Sequence, residues 1–204
     1  GILLTAVMLW RLLLLSLSRY TTMELPAGFM QHVSLVLLCV AFTLTFYPVL
    51  RAYVLGQVQI WIALLVTGMV LLWITNRKTL SGVLAGIACI ITPQFVLLLL
   101  WGILRKQNKF VLSFAITAMV FVAIAIGIYG WENNLDYLRA VTFIAQRGES
   151  YFPNQSVNGL LNRVLFNGNN LEWLPRDFPL YNFIVHWGTL VSSMLIIGFA
   201  LFFG

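Results

Sequence analysis

The sequence predicts an all-α fold, a polytopic bundle of transmembrane helices with one large loop outside the lipid. Three observations predict it. Of the 204 residues, 61% are apolar or aromatic and only 9% are charged, against roughly 25% charged in an ordinary soluble domain. The mean hydropathy is +0.93. The apolar residues also fall in long runs without charge, each close to the roughly 20 residues that a helix needs to cross a membrane.

The same composition excludes several classes of protein. Twelve basic and six acidic side chains cannot cover the surface of a soluble globule. A disordered chain would have a far lower apolar fraction, and a disulfide-stapled domain would have more cysteines than Cys39 and Cys89. Both thiols lie inside apolar runs and are interpreted as packing residues. The net charge of +6 is distributed beside apolar runs, which is typical of membrane-flanking charge and not of a nucleic-acid site.

Six apolar stretches supply the helices. We predict about five full spans and one broken helical hairpin, within a single integral membrane domain over residues 1–204. The stretches are residues 1–18, interrupted by Arg11, and residues 25–50, 52–76, 79–104, 110–131 and 178–204. Because the first and last residues lie inside apolar runs, we expect the chain to be a fragment that lacks N- and C-terminal portions of a longer protein.

The run 79–104 is predicted to fold back on itself. The basic residues that flank it are Arg77, Lys78, Arg105, Lys106 and Lys109. Both ends therefore favour the cytoplasmic side, which a single straight helix cannot satisfy. Two half-helices broken near Thr92 and Pro93 can satisfy it, because proline removes a donor and disfavours helical geometry just before it. The alternative is a plain span with a proline kink and one basic loop on the wrong side.

The hairpin decides the orientation of the other loops. It places Arg19 and Glu24 in the cytoplasm and residues 47–59 at the outer face. The polar segment 132–177, which holds half of all charged residues, is predicted to be an extracytoplasmic loop. From Trp131 onward it has apolar residues at helical spacing, so we predict a helix lying flat on the membrane lipid. Ordinary packing of this helix on the bundle is the alternative.

This orientation brings polar residues from distant parts of the chain to one side of the membrane. They are the Gly56-Gln57 pair, the turn at Gln94 and the tripeptide Asn154-Gln155-Ser156. Unpaired amides are costly in hydrocarbon, so the glutamines at these depths are expected to face protein or a water-filled cavity. A hydrogen bond from each glutamine to a neighbouring helix is the alternative.

No fingerprint of a soluble enzyme is present. The sequence has no phosphate-binding glycine loop, no metal-ligand spacing and no nucleophile elbow, so no metal and no cofactor are expected. His32 and His186 are isolated and are interpreted as interfacial anchors. Gly82 and Gly86 have the spacing of a small-residue pair for close helix packing.

The order of several motifs resembles glycosyltransferase family 87. They are Tyr47-Pro48, Gly56-Gln57 opening a span, Ala85-Gly86 running to Thr92-Pro93 before a basic loop, and Asn154-Gln155-Ser156 followed by Gly159 and Arg163. The resemblance covers residues 47–163. The sequence departs from the family at Ile90, three residues before the helix-breaking proline, where the family commonly carries lysine.

The resemblance implies a membrane enzyme of the GT-C class. It would transfer a hexose, expected to be mannose, with inversion, from a polyprenyl-phosphate donor to a lipid or glycan acceptor. The site would face outward from a multi-pass protein of the bacterial cytoplasmic membrane. The resemblance also implies an acidic general base in an outer loop upstream of this chain, so no catalytic residue is assigned. A transporter or flippase-like subunit is the alternative, since broken helices also suit transport, and a non-catalytic assembly subunit is a third possibility.

The residues expected to bind substrate are polar or glycine. They are Arg51, Gly56, Gln57, Gln94, Asn154, Gln155, Ser156 and Arg163. The two arginines would bond the donor phosphate, since a guanidinium can bond two phosphate oxygens at once. Gln57, Asn154 and Gln155 would bond sugar hydroxyls or orient the arginines. The alternative is that the arginines anchor helices to lipid headgroups and the asparagines form turns.

Overall fold

The structure is a computed structural model that describes residues 1–20, 28–172 and 178–203. Every regular element in these residues is a helix, which confirms the all-α prediction for them. The helices are α1 (Ile2–Tyr20), α2 (Phe29–Thr45), α3 (Tyr47–Val54), α4 (Gln59–Ile74), α5 (Lys78–Ile91), α6 (Val96–Leu104), α7 (Asn108–Tyr129), α8 (Trp131–Arg147), α9 (Val157–Val164) and α10 (Phe183–Phe203), with a 3₁₀ turn, Pro93–Phe95, before α6.

The chain divides into two compact units, residues 1–124 and residues 125–204. A single membrane domain over residues 1–204 stays a prediction. Two predictions of membrane side fall partly or wholly outside the described residues. They are the cytoplasmic location of Glu24 and the extracytoplasmic location of residues 173–177, the end of the polar segment.

Within the described residues, two helices are long and apolar enough to be full spans, and one bent pair is a third candidate. By length and composition, α7 with 22 residues and α10 with 21 are able to cross a membrane, and α2 with α3 forms a third candidate that is bent by 59°. Helix α4 has 16 residues, about 24 Å of helix against a hydrocarbon layer of about 30 Å. The described residues thus contain two or three candidate spans, and the prediction of about five full spans is not confirmed.

Local backbone signals shorten two of the predicted runs. Phe46 is extended between α2 and α3, and Pro48 follows in the first turn of α3, where its missing N–H is not needed. Helix α3 ends at Val54, and Gly56, two residues later, has a φ of +62°. The Gln57 N–H donates to the Ala52 carbonyl at 2.8 Å, the long bond of a Schellman turn. The first residues of the run predicted over residues 52–76 therefore belong to α3, and α4 begins only at Gln59.

The predicted break at Thr92 and Pro93 is the point at which the hairpin turns. Thr92 is extended after α5, and Pro93 begins the 3₁₀ turn. The chain then reverses, because Trp73, before α5, and Trp101, near the end of α6, lie 5.0 Å apart between ring centroids. A straight helix over residues 79–104 would separate its ends by about 40 Å. The chain therefore folds back as predicted.

Close packing on α7 fixes the position of α5. A Cβ atom on Gly82 would overlap the Ser113 hydroxyl and the Phe110 carbonyl. A Cβ atom on Gly86 would lie 3.0 Å from the Phe114 carbonyl oxygen. The two glycines let the helices approach at this contact, as the spacing of a small-residue pair predicts.

Neighbouring helices also set the directions within the first unit. Helix α4 is antiparallel to α5, and the Ser81 hydroxyl donates to the Met69 carbonyl at 2.9 Å across them. Helix α1 is parallel to α4, since Gly1 lies against Ile60 at the start of α4, and Met8 lies farther along α4. The N-terminal end of α4 and the C-terminal end of α5 are therefore at the same end of the unit.

Candidate functional site

An aromatic cluster holds the two ends of the hairpin together. The ring of Phe110 lies 5.3 Å from that of Trp73 and 6.4 Å from that of Trp101, edge-on to both, a favoured aromatic geometry. The Lys78 ammonium lies 3.2 Å from the centre of the Trp73 ring, within the range of a cation–π interaction. The cluster therefore joins the ends of the helices that flank two loops, the loop before α5 and the loop after α6.

These two loops form what we call the basic end of the first unit, residues 75–78 and 104–109. It carries all five basic residues that flank the hairpin in the sequence. The described part of this unit contains no Asp or Glu, so the charge of the basic end has no acidic counterpart there.

The opposite end of the unit carries two turns, residues 55–58 and 92–95, which we call the turn end. Gln57 lies in the first turn and Gln94 in the second, and both side chains are exposed. Gly56 has a backbone role in the first turn, because its left-handed conformation is accessible to glycine at little cost. The antiparallel pairing of α4 and α5 thus brings two predicted site residues to one end of the unit.

Arg51 lies on α3, just before the turn end. It is half-buried, and its Nη1 donates to the Tyr47 hydroxyl at 2.6 Å. Residues four apart lie on the same face of a helix, so Tyr47 orients the guanidinium. Arg51, Gly56 and Gln57 therefore share α3 and its C-terminal turn.

In the second unit, the predicted tripeptide forms the loop that begins α9. Ser156 is the N-cap, and its hydroxyl accepts from the Gly159 N–H at 3.2 Å and donates to Asn154 Oδ1 at 2.7 Å. The Asn154 amide donates to the Glu149 carbonyl at 2.8 Å. A Cβ atom on Gly159 would overlap the Asn154 backbone, so this close approach requires glycine.

Arg163 holds the same loop from α9. Its Nη1 donates to the carbonyls of Asn154 at 2.8 Å and of Tyr151 at 3.4 Å. The Gln155 amide donates to the Phe152 carbonyl at 2.7 Å. A guanidinium has five N–H donors, and within the described residues Arg163 donates from Nη1. The N–H groups on Nε and Nη2 are therefore the ones able to bind an anion.

Three asparagines outside the predicted site hold α9 to the segments around it. Asn162 is 0% exposed. Its amide donates to the Arg147 carbonyl at 3.1 Å and to Asn158 Oδ1 at 3.0 Å, and it accepts from Asn167 at 2.8 Å. Asn158 donates to Thr189 on α10 at 3.4 Å. The signal in the sequence was the four-residue spacing of Asn158 and Asn162, which puts both on one helix face.

The remaining candidate ligands are scattered. Among the residues that the structure describes, no group of three or more His, Cys, Asp or Glu is placed to hold a metal ion. The ring of His32 lies 5.9 Å from that of Trp10, and the ring of His186 lies 5.6 Å from that of Tyr181. A general base upstream of this chain stays a prediction.

Comparison with known proteins identifies the family of the chain. No curated protein and no solved structure matches it. Residues 1–203 match glycosyltransferase family 87, which confirms the resemblance and extends it beyond residues 47–163. The chain therefore belongs to glycosyltransferase family 87.

Proposed function

We propose that this protein transfers mannose from a polyprenyl-phosphate donor to a lipid or glycan acceptor on the extracytoplasmic face of the membrane. The family supports glycosyl transfer over transport, and the candidate spans support an integral membrane enzyme. The observation that carries the outward-facing assignment is the separation of the basic end from the turn end in the first unit.

The basic end is proposed to face the cytoplasm. Lys and Arg beside short loops are strongly enriched on that side, and no described acidic residue of the unit offsets them. The turn end, with Gln57 and Gln94, then faces outward. A polyprenyl-phosphate sugar keeps its chain in the hydrocarbon and its charged phosphate at the interface. The turn end and the donor headgroup are therefore proposed to lie at the same level.

The proposed chemistry is an inverting substitution at the anomeric carbon of the donor sugar. The acceptor oxygen forms the new bond from the face opposite the phosphate, and the polyprenyl phosphate leaves with the electron pair. A general base takes the proton of the acceptor hydroxyl; that residue is expected upstream of this chain. Arg51 in the first unit and Arg163 in the second are each proposed, independently of the other, as a phosphate contact, since a guanidinium can stabilise the charge that develops on a departing phosphate.

The other predicted residues are proposed to orient the sugar. Gly56 shapes the turn, while Gln57 and Gln94 present exposed amides that can bond hydroxyl groups. In the second unit each side chain of residues 154–156 has an internal hydrogen bond. A polar loop that is restrained in this way can position a ligand with little further loss of entropy.

Substitution of Arg163 tests the proposal. In the full-length protein, Arg163→Gln is expected to lower transfer from radiolabelled polyprenyl-phosphate mannose by about 100-fold, the effect of removing one donor from a developing anion. Arg163→Lys should retain part of the activity because it keeps the charge. The matched control is Arg139→Gln on α8, since Arg139 is exposed and pairs with Asp136 at 2.8 Å.

Each variant also needs a measurement of thermal stability, because Arg163 holds two backbone carbonyls. Full transfer by a folded Arg163→Gln variant would remove Arg163 from the site. Transfer of a different sugar by the unchanged protein would overturn mannose as the donor sugar and leave the site assignment in place.

A further inference from the structure

Helix α9 exposes its apolar face and buries its polar face. Leu160 and Val164 are 53% and 61% exposed, whereas Asn158 and Asn162 are buried. A helix on the surface of a soluble protein has the opposite arrangement. The exposed face of α9 therefore suits an apolar surrounding.

The residue that follows α9 strengthens this conclusion. Phe166 is 91% exposed and has a φ of +52°, a conformation that is unfavourable for a bulky side chain. The Asn167 N–H donates to the Asn162 carbonyl at 2.9 Å, so Phe166 occupies the position at which a helix usually ends in glycine. The Phe166 backbone is therefore in an unfavourable conformation, and its aromatic ring is exposed.

The position of α9 along α10 indicates what surrounds it. Helix α10 is a candidate membrane span. A Cβ atom on Gly188 would lie 2.7 Å from Leu161 Cδ1, and Asn158 bonds Thr189. Thr189 lies about 9 Å along the axis from Phe183, the first residue of α10, at 1.5 Å per residue. Helix α9 is therefore packed beside the first turns of the span.

The surface of α10 next to this contact is also apolar and exposed. Trp187 and Val191 are both exposed there, as expected of side chains that face lipid. The exposed apolar face of α9 thus lies beside a candidate membrane span whose own exposed residues here are also apolar.

We propose that the side chains of Val157, Leu160, Val164 and Phe166, the lipid-contact face, lie in the acyl-chain region of the leaflet around the start of α10. Helix α9 is then an interfacial helix, and the Phe166 ring anchors it in the bilayer. The loop of Asn154 and Ser156, which begins α9, is held at the depth of the lipid headgroups. This placement does not depend on the reaction that the protein catalyses.

Site-directed spin labelling tests the placement. In the full-length protein with Cys39→Ser and Cys89→Ser, nitroxides are attached at Phe166→Cys and, separately, at Val164→Cys. The protein is reconstituted in vesicles of phosphatidylcholine and phosphatidylglycerol. Collision rates are then measured with oxygen, which concentrates in hydrocarbon, and with a water-soluble nickel complex. A nitroxide at Arg139→Cys, on the exposed ion pair of α8, is the control.

The ratio of oxygen to nickel collisions is expected to be several-fold higher at positions 166 and 164 than at position 139. Rapid collision with nickel at position 166 would place the face in water and overturn the proposal. Slow collision with both reagents would show a protein cover, from a second copy or another partner, and would also overturn it. Both labelled positions are exposed, so neither label displaces a packed side chain.

Discussion

The indole rings of Trp73 and Trp101 lie 5.0 Å apart, although one precedes the broken run and the other lies near its end. The contact requires the chain to reverse at Thr92 and Pro93. It also brings two basic loops to one end of the unit, which removes the conflict that a straight span would create with the distribution of Lys and Arg. The separation of the basic end from the turn end of the first unit follows from this contact.

The aromatic cluster at the base of the hairpin is expected to contribute strongly to stability. Phe110 is buried between the two tryptophans, so Phe110→Ala should lower the free energy of unfolding by about 3–5 kcal/mol. Leu112→Ala is the control, since Leu112 is 63% exposed on the same helix. Unfolding in mixed micelles with increasing SDS measures both. Equal midpoints would show that the cluster does not hold the hairpin.

The contact between α5 and α7 predicts opposite effects for one substitution at two glycines. Gly82→Ala would overlap Ser113 and the Phe110 carbonyl, and it should destabilise the protein by about 1–3 kcal/mol. Gly127→Ala adds a methyl group in open space on α7 and should be neutral or stabilise the helix by up to about 1 kcal/mol. Thermal denaturation in detergent compares them, and a harmless Gly82→Ala would contradict this packing.

The sequence predicts the features that depend on local chemistry or on charge. The break at Pro93 follows from the missing proline donor, and the shared end of the flanking loops follows from their basic residues. The four-residue spacing of Gly82 and Gly86 by itself predicts a close helix contact. Each of these predictions uses a signal contained within one stretch of chain.

Features that depend on competing local signals or on tertiary contacts were missed. Pro48 and Gly56 lie within or between apolar runs, and hydropathy alone does not show that they end helices there. The sequence does not single out Asn158 and Asn162, because asparagine is common in polar loops and turns. Their burial depends on packing against α10, and the reversed faces of α9 make sense beside a membrane-length helix and not in water.

The buried asparagine network predicts a cost for losing one amide. Asn162→Ala would remove the donor that serves the Arg147 carbonyl and Asn158 Oδ1, which should cost about 1–3 kcal/mol per unsatisfied group. Transfer activity should fall as well, because α9, the helix that carries Arg163, would be held less firmly. Asn170→Ala is the matched control at an exposed position. Denaturation and transfer assays on both variants measure these two losses. An Asn162→Ala protein as stable as the unchanged protein would contradict a stabilising role of the network.

A comparison of Gln57 with Gln59 tests whether Gln57 binds substrate or merely lies at the turn end. Gln57 follows the Gly56 turn and is proposed to bond the sugar, whereas Gln59 is the first residue of α4 and is also exposed. Gln57→Ala should raise KM for the donor, since a lost hydrogen bond to a ligand weakens binding by about 0.5–1.5 kcal/mol. Gln59→Ala should leave KM unchanged. Donor titration measures both constants, and equal effects would refute the assignment of Gln57.

The membrane side of the exposed glutamines tests the orientation most directly. Single cysteines at Gln57, Gln94 and Gln155, with Lys106 as the opposite-side control, are treated with a membrane-impermeant maleimide in intact cells, in a background with Cys39→Ser and Cys89→Ser. Labelling from outside is expected at all three glutamine positions, and labelling of position 106 is expected only after permeabilisation. Labelling of position 106 from outside, or of Gln57 and Gln155 from opposite sides, would contradict an outward-facing site.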